Sequence, residues 1–222
     1  DAFDALKPDI ILLLGDRFEL LAAASAALVT TIPVAHIHGG EVTEGAFDDA
    51  IRHSITKMSQ LHFTSTEVYR NRVIQLGEES NRVFNVGAPG LDNIDRLSLI
   101  EKEGVEEILG IKLGSKSLLV TWHPVTLEPG TSEASFRNIL KVLDELENTK
   151  IVFTKANADT GGRLINSMID EFVRYKRERA VAHVSLGQVN YLSVLREVTG
   201  ILGNSSSGII EAPSLEIGTV NI

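Results

Sequence analysis

Two groups of residues, far apart in the chain, have types and spacings that could do chemistry. The early group begins with Asp16, Arg17 and Glu19, continues with His36, His38 and Glu41 around Gly39 and Gly40, and ends with Asp48, Asp49, Arg52 and His53. It offers carboxylates, imidazoles and guanidinium groups, the equipment of proton transfer and charge neutralisation. The late group is Gly203-Asn204-Ser205-Ser206-Ser207-Gly208, followed by Glu211. Successive amides and hydroxyls of this kind suit a phosphate, and a carboxylate about one turn further on could accept hydrogen bonds from ribose hydroxyls. Acid and base from one half with an anion site in the other suggest a nucleotide-linked substrate held between two α/β halves.

Each feature also has a plainer reading. Asp16 could cap the helix that follows it. His36 and His38 alternate along one strand, so their side chains should share a face and could be two metal ligands. One packed histidine beside one pocket-lining histidine is the plainer expectation, and no third and fourth ligand stand at a telling spacing. Asp48 and Asp49 lie four positions ahead of Arg52 and His53, which on a helix makes two pairs, Asp48 with Arg52 and Asp49 with His53. The loop Thr43-Glu44-Gly45-Ala46 could bring that turn over Asp16. His123, in Trp122-His123-Pro124, could donate to a phosphate or polarise a leaving group, or simply face solvent.

These residues need elements to hold them, and the hydrophobic pattern supplies them. Ile10 to Leu14 is a short apolar run that suits a parallel strand buried on both faces. It is followed by a helix Phe18 to Val29, and the alternation continues with strand Pro33 to Ile37, helix Phe47 to Met58, strand Leu61 to Thr64, helix Glu67 to Leu76 and strand Arg82 to Val86. A second series runs through strand Leu118 to Thr121, helix Ser132 to Leu146, strand Lys150 to Thr154 and helix Gly161 to Tyr175. It closes with strand Ala180 to Val184, helix Val189 to Arg196, strand Gly200 to Leu202, a helix from about Ser206 and strand Thr219 to Ile222. This alternation predicts parallel sheets with crossover helices, hence an α/β protein of two doubly wound Rossmann-like units. Asp16, Trp122 to Pro124 and the serine run all fall just after a strand, at the carboxyl edge where open α/β sheets bind ligands.

Composition narrows the field. A formal charge of −9 over 222 residues argues against a nucleic-acid surface, which needs clustered Lys and Arg. The absence of cysteine removes disulfides, thiolate metal sites and a cysteine nucleophile. No apolar run approaches the ~20 residues that span a bilayer, and the first residues lack a basic leader. A cytoplasmic protein with no membrane partner is the expectation.

The motifs resemble those of the UDP-N-acetylglucosamine 2-epimerases, in particular the hydrolysing branch that feeds sialic-acid, legionaminic-acid and related nonulosonic-acid synthesis. The matching stretches are Gly15 to Glu19, His36 to Glu41, Asp48 to His53, His123-Pro124-Val125-Thr126 and Gly203 to Gly208 with Glu211, in family order across nearly the whole chain. The resemblance implies a GT-B-like fold with UDP in the cleft between two domains, no cofactor and no catalytic metal. It implies proton abstraction at sugar C2 with anti elimination of UDP to a 2-acetamidoglucal, then addition of water to release the 2-epimeric sugar. The implied acid/base set is Asp16, Asp48 or Asp49, and His38 or Glu41, because many epimerases carry glutamate at the position of His38. The implied substrate contacts are Arg17, Arg52, His53, His123, Asn204, Ser205, Ser206, Ser207, Gly208 and Glu211.

Residues 1–7 read as the tail of a helix already under way and the last residues as a strand just formed, which suggests a fragment cut at both ends; the resemblance implies that it is inactive alone. Residues 1–97 would be the later part of an N-terminal Rossmann-like domain, 98–117 a hinge, and 118–222 a UDP-binding domain incomplete at its C-terminus. Relatives are commonly dimers, which leaves a homodimer open. Two other readings are a metal-dependent hydrolase built on His36 and His38, and a non-catalytic nucleotide-sugar-binding protein.

Overall fold

The computed structural model of the protein describes residues 2–42, 47–124, 131–156 and 160–222. The chain divides into two compact units, Asp1–Pro89 and Gly90–Ile222.

Unit 1 opens with helix α1 (Ala2–Leu6) and then alternates β1 (Ile11–Leu14), α2 (Phe18–Val29), β2 (Val34–Ile37), α3 (Asp48–Lys57), β3 (Leu61–Thr64), α4 (Glu67–Gln75) and β4 (Val83–Asn85). The four strands are parallel and lie in chain order, β1-β2-β3-β4. Right-handed crossovers between strands laid down in order keep their helices on one side of the sheet. Burial follows that rule. Leu13 and Val34 pack with Ala24 and Ala27 of α2 and Ile55 of α3, and the row Leu13, His36, His62, Val83 is buried throughout. The alternate row is Leu14, Ile37, Phe63, Phe84; in this row and its neighbour, Leu12, Leu14 and Phe84 are 61%, 59% and 43% exposed. Alanines at 24 and 27 let α2 approach the sheet and α3 closely, and an alanine-rich run such as Leu21 to Leu28 has high intrinsic helix propensity.

Unit 2 contains α5 (Asp92–Arg96), α6 (Lys102–Leu109), β5 (Ser117–Thr121), α7 (Thr131–Glu145), β6 (Lys150–Thr154), α8 (Thr160–Tyr175), β7 (Ala180–His183), α9 (Gly187–Glu197), β8 (Gly200–Gly203), α10 (Glu211–Ser214) and β9 (Gly218–Asn221). Its parallel sheet has the order β7-β6-β5-β8-β9, and both faces are covered. Leu119, Val152 and Ile201 pack with α6, α9 and α10, while Val120, Ile151 and Phe153 pack with α7 and α8. The order of strand addition reverses between β5 and β8, which remain parallel, and this is the switch point at which such sheets take ligands.

The elements match the expected ones closely, with three differences. β1 is not buried on both faces: Leu13 faces the helices, while Leu12 and Leu14 on the other face stand exposed. The stretch 98–117 carries α6, whose Val105 and Leu109, four apart, join Leu113 in the core of unit 2. The helix expected from Ser206 is a 3-10 turn, Ser206–Gly208, followed by the four-residue α10. Serine hydroxyls compete with the helix for local backbone groups, and here Ser205 Oγ accepts from the Ser207 amide at 3.3 Å.

Candidate functional site

In unit 1 the carboxyl edge of the sheet gathers a single polar network. Arg52, buried on the inner side of α3, binds Asp16 Oδ2 through Nη2 and Glu41 Oε2 through Nη1, the latter at 3.2 Å. Glu41 Oε1 accepts from His38 Nδ1 at 2.5 Å and from the Ser65 hydroxyl at 2.7 Å. Burial alone would raise the Glu41 pKa, but the hydrogen bonds from His38 and Ser65 and the charges of His38 and Arg52 hold it below the ordinary carboxylate range. Nδ1 of His38 is committed to Glu41, so Nε2 is the ring nitrogen not engaged by the carboxylate.

The turn that carries these groups is tightly built. β2 ends at Ile37, and His38 adopts a left-handed φ of 65°. The expected shared face of His36 and His38 is therefore not formed: strand alternation stops one residue short of His38. Gly40 has φ 81°, and a Cβ there would stand 2.4 Å from the Tyr69 carbonyl. Arg72 donates to the Gly40 carbonyl and lies over the Tyr69 ring, 5.5 Å from its centroid.

His36 is fully buried. Its Nε2–H donates to the Gly15 carbonyl at 2.8 Å, which fixes the tautomer, and Nδ1 accepts from the Thr56 hydroxyl at 3.1 Å. Burial lowers its pKa to about 4, against the pull of the Gly15 carbonyl. With both nitrogens occupied, His36 is the packed member of the pair.

Other expected residues are placed differently. Asp16 does not cap α2, whose N-cap position is Arg17; its carboxylate goes to Arg52 instead. Arg17 is exposed and pairs with Glu19 at 2.8 Å. Asp49 and His53 form the expected i,i+4 pair at 3.6 Å, whereas Arg52 reaches across to Asp16 and Glu41, drawn inward by its burial in the network. Asp48 stands in the first turn of α3. Thr43 to Ala46, and Val125 and Thr126, lie outside the described residues.

In unit 2 the switch point is locked by one side chain. Asn204 Oδ1 accepts from the His123 amide at 2.8 Å and Nδ2 donates to the His123 carbonyl at 2.7 Å. The loops after β5 and β8 are thus held side by side, and the Asn204 amide serves their geometry. Gly203 makes this approach feasible: its φ is 144°, and a Cβ would fall 1.8 Å from the Thr121 carbonyl. Ser205 is half-buried and Ser206 exposed, while Ser207 and Gly208 are buried, the latter against Thr219, whose hydroxyl donates to the Gly208 carbonyl at 2.8 Å. Glu211 occupies the first turn of α10.

Two residues escaped sequence reasoning. Ser65 directly follows β3 at the same carboxyl edge as Asp16, so the edge rule could have found it. Tyr191 sits mid-helix in α9 with its hydroxyl buried, and nothing in the sequence marks it.

Among curated proteins, the chain is 44% identical over 222 residues to the GDP/UDP-N,N'-diacetylbacillosamine 2-epimerase (hydrolyzing) of Campylobacter jejuni, covering all of this chain and 58% of that protein. It is 38% identical over 222 residues to the UDP-N,N'-diacetylbacillosamine 2-epimerase (hydrolyzing) of Legionella pneumophila, again covering all of this chain and 58% of the relative. The chain therefore spans little more than half the length of these relatives. Among solved structures, the fold is shared with a UDP-GlcNAc 2-epimerase from Neisseria meningitidis bound to UDP-GlcNAc, at TM-score 0.84 and 22% identity over 100% of this chain and 61% of that one. A Staphylococcus aureus MnaA–UDP structure aligns at TM-score 0.81 and 18% identity over 99% of this chain and 58% of that one. The edge motifs, the parallel sheets that hold them and a match of residues 1–222 to the family described as UDP-N-acetylglucosamine 2-epimerase agree, and the chain belongs to that family.

Proposed function

We propose that the protein is a hydrolysing UDP-sugar 2-epimerase that acts on a UDP-2,4-diacetamido sugar of the N,N'-diacetylbacillosamine type. It releases UDP and the free 2-epimeric sugar for nonulosonic-acid synthesis. The observation that carries this reading is the Asp16–Arg52–Glu41–His38 network at the carboxyl edge of unit 1. The substrate assignment is supported by the two relatives at 44% and 38% identity, both named for diacetylbacillosamine.

The chemistry divides between the units. In unit 1, His38 and Asp16, with Asp48 or Asp49, move the protons: one group removes the C2 proton as the C1–O bond to UDP breaks, and another delivers the elements of water to the resulting glycal. Glu41 already receives His38, Ser65 and Arg52 on its two oxygens. It acts as the carboxylate that orients the imidazole, in the manner of an acid behind a catalytic histidine. In unit 2, the amides and hydroxyls at Ser205 and Ser206 take the diphosphate, His123 donates to it, and Glu211 takes the ribose. The exposed Arg17 and the half-buried His53 complete the contacts to the sugar nucleotide.

The test is UDP release by the full-length protein from UDP-N,N'-diacetylbacillosamine and UDP-N-acetylglucosamine side by side. The reading expects kcat/KM for the diacetamido substrate to be higher by about tenfold or more, the discrimination open to a site that hydrogen-bonds an added amide. Equal use of both, or turnover of the second alone, would reject the substrate assignment; release of UDP from neither would reject the activity.

A further inference from the structure

The turn that presents His38 and Glu41 is held from a direction the proton-transfer set does not use. His38 has φ 65° and Gly40 φ 81°. A residue with a Cβ keeps a left-handed backbone only where its surroundings over-determine it, and such conformations cluster at functional sites. Here the surroundings are β3, α4 and the short join between them. The His38 amide donates to the Phe63 carbonyl at 2.9 Å, the Ser65 hydroxyl donates to Glu41 Oε1 at 2.7 Å, and Arg72 donates through Nη1 to the Gly40 carbonyl. Gly39 and Gly40 are buried against the same helix. A Cβ on Gly40 would stand 2.4 Å from the Tyr69 carbonyl and 2.9 Å from a Val73 methyl, and one on Gly39 would stand 3.6 Å from that methyl.

Arg72 differs from Ser65 and Arg52 in what it holds, which is backbone and not side chain. Its half-buried guanidinium lies over the Tyr69 ring, 5.5 Å from the centroid, and stacking of that kind removes much of the freedom of a long side chain. The Gly40 carbonyl stands between the two side chains that must meet, His38 two residues before it and Glu41 one after. Because the peptide unit is planar, any rotation of that carbonyl carries the Glu41 backbone with it. The 2.5 Å contact between His38 Nδ1 and Glu41 Oε1 leaves little room for such movement. Arg70, on the same helix, has a different duty: it donates to the Val83 carbonyl at 3.0 Å and the Ser80 carbonyl at 3.2 Å, tying α4 to β4 and the chain that leads into it.

We propose that Arg72 is a positioning residue for the proton transfer: by holding the Gly40 carbonyl it fixes the turn that points the His38 ring and the Glu41 carboxylate at each other. The proposal rests on the reading of His38 as a proton-transfer group and adds to it the residue that aims the ring.

The experiment is steady-state UDP release by the full-length protein, from whichever of the two UDP-sugars the wild type turns over faster, for the wild type, Arg72→Ala, His38→Gln and the double variant, with Arg70→Ala as the control. Arg72→Ala is expected to lower kcat about 10–100-fold with KM changed by less than about threefold, as loss of an orienting partner does. The double variant should be slower than His38→Gln by no more than about twofold, because a residue that acts through His38 has nothing left to aim. Arg70→Ala should keep kcat within about twofold, since it ties the helix and not the turn. A kcat within about threefold of wild type in Arg72→Ala, with His38→Gln slow, overturns the proposal and leaves the His38 reading intact. So does a double variant that loses the full factor of each single change, or an Arg70→Ala as slow as Arg72→Ala, which would show that both arginines serve the fold. Near wild-type release in His38→Gln removes the His38 reading and the proposal with it, and no release by the wild type removes the activity as well. Should Arg72→Ala fail to fold, the same cycle is read with Arg72→Lys, where additive losses again overturn the proposal.

Discussion

At position 36 the fold keeps an imidazole neutral: the ring is sealed inside the sheet, its proton is committed to the Gly15 carbonyl, and its pKa falls to about 4 from 6.5. Between those two values the unfolded chain binds more protons than the folded one, so stability rises with pH across that window. The stabilisation is complete above pH 6.5 and disappears as the pH drops toward 4, an effect on the order of 3 kcal/mol. Urea unfolding monitored in unit 1 should therefore show a higher midpoint at pH 7.5 than at pH 5, and His36→Gln should flatten that dependence without abolishing it, because burial lowers the His62 pKa too. An unchanged slope in the variant would remove His36 as the cause. Two positions along, at His38, the proposed role is catalytic. Asp16→Asn, Asp48→Asn and His38→Gln should each slow UDP release by roughly 10²–10⁴, the usual worth of an acid or base. Glu41→Gln should cost only about 10–100-fold, as an orienting partner does; near wild-type release in Asp16→Asn and Asp48→Asn would overturn the acid/base set, and a larger loss at Glu41 than at His38 would reverse their roles. Residue types made Asp16, His38, Glu41 and Arg52 legible in the sequence. Their connection was not, because i,i+4 spacing pointed Arg52 along its own helix, whereas burial turned it across to another strand.

The strands and helices were readable because most strands are short runs of mostly apolar side chains bounded by Gly, Pro or polar residues, as at Ile11 to Leu14 and Ser117 to Thr121. What escaped were α5 and α6, the latter because its polar majority hid the Val105 and Leu109 pair that anchors it. At the element scale the critical joint is the crossing of the β5 and β8 ends, where Gly203 leaves no room for a Cβ beside the Thr121 carbonyl. Gly203→Ala should destabilise unit 2 by roughly 3 kcal/mol or more, in the range reserved for broken backbone geometry, and should abolish UDP binding. Gly110→Ala is the matched control: it too has a positive φ, 69°, but a Cβ there meets nothing within 4 Å, so only the left-handed strain of about 1 kcal/mol remains. Comparable losses in the two variants, measured by thermal melts, would mean that conformation and not contact governs position 203.

Across the whole molecule the two sheets were legible as a class, α/β with parallel strands, but their strand orders were not, since alternation of strand and helix does not say which strands become neighbours. That difference in order sets the tempo of assembly. Every strand pairing in unit 1 joins strands that are consecutive in the chain, so each step closes a short loop. Unit 2 completes its centre only when β8 reaches β5, where the Ser117 amide meets the Thr199 hydroxyl, 82 residues apart. Folding rates fall as contacts become more distant in sequence, so in pulsed hydrogen exchange during refolding the amides of β1 to β3 should gain protection before those of β5 and β8; simultaneous protection would show that order in the sheet does not govern the kinetics. On a ribosome the disparity is larger still. The residues of unit 1 are all made while the serine-rich loop of unit 2 is unmade, so from the completion of β6 at Thr154 until β8 begins at Gly200 the edge of β5 stands open, and that interval is when this chain is most exposed to mispairing.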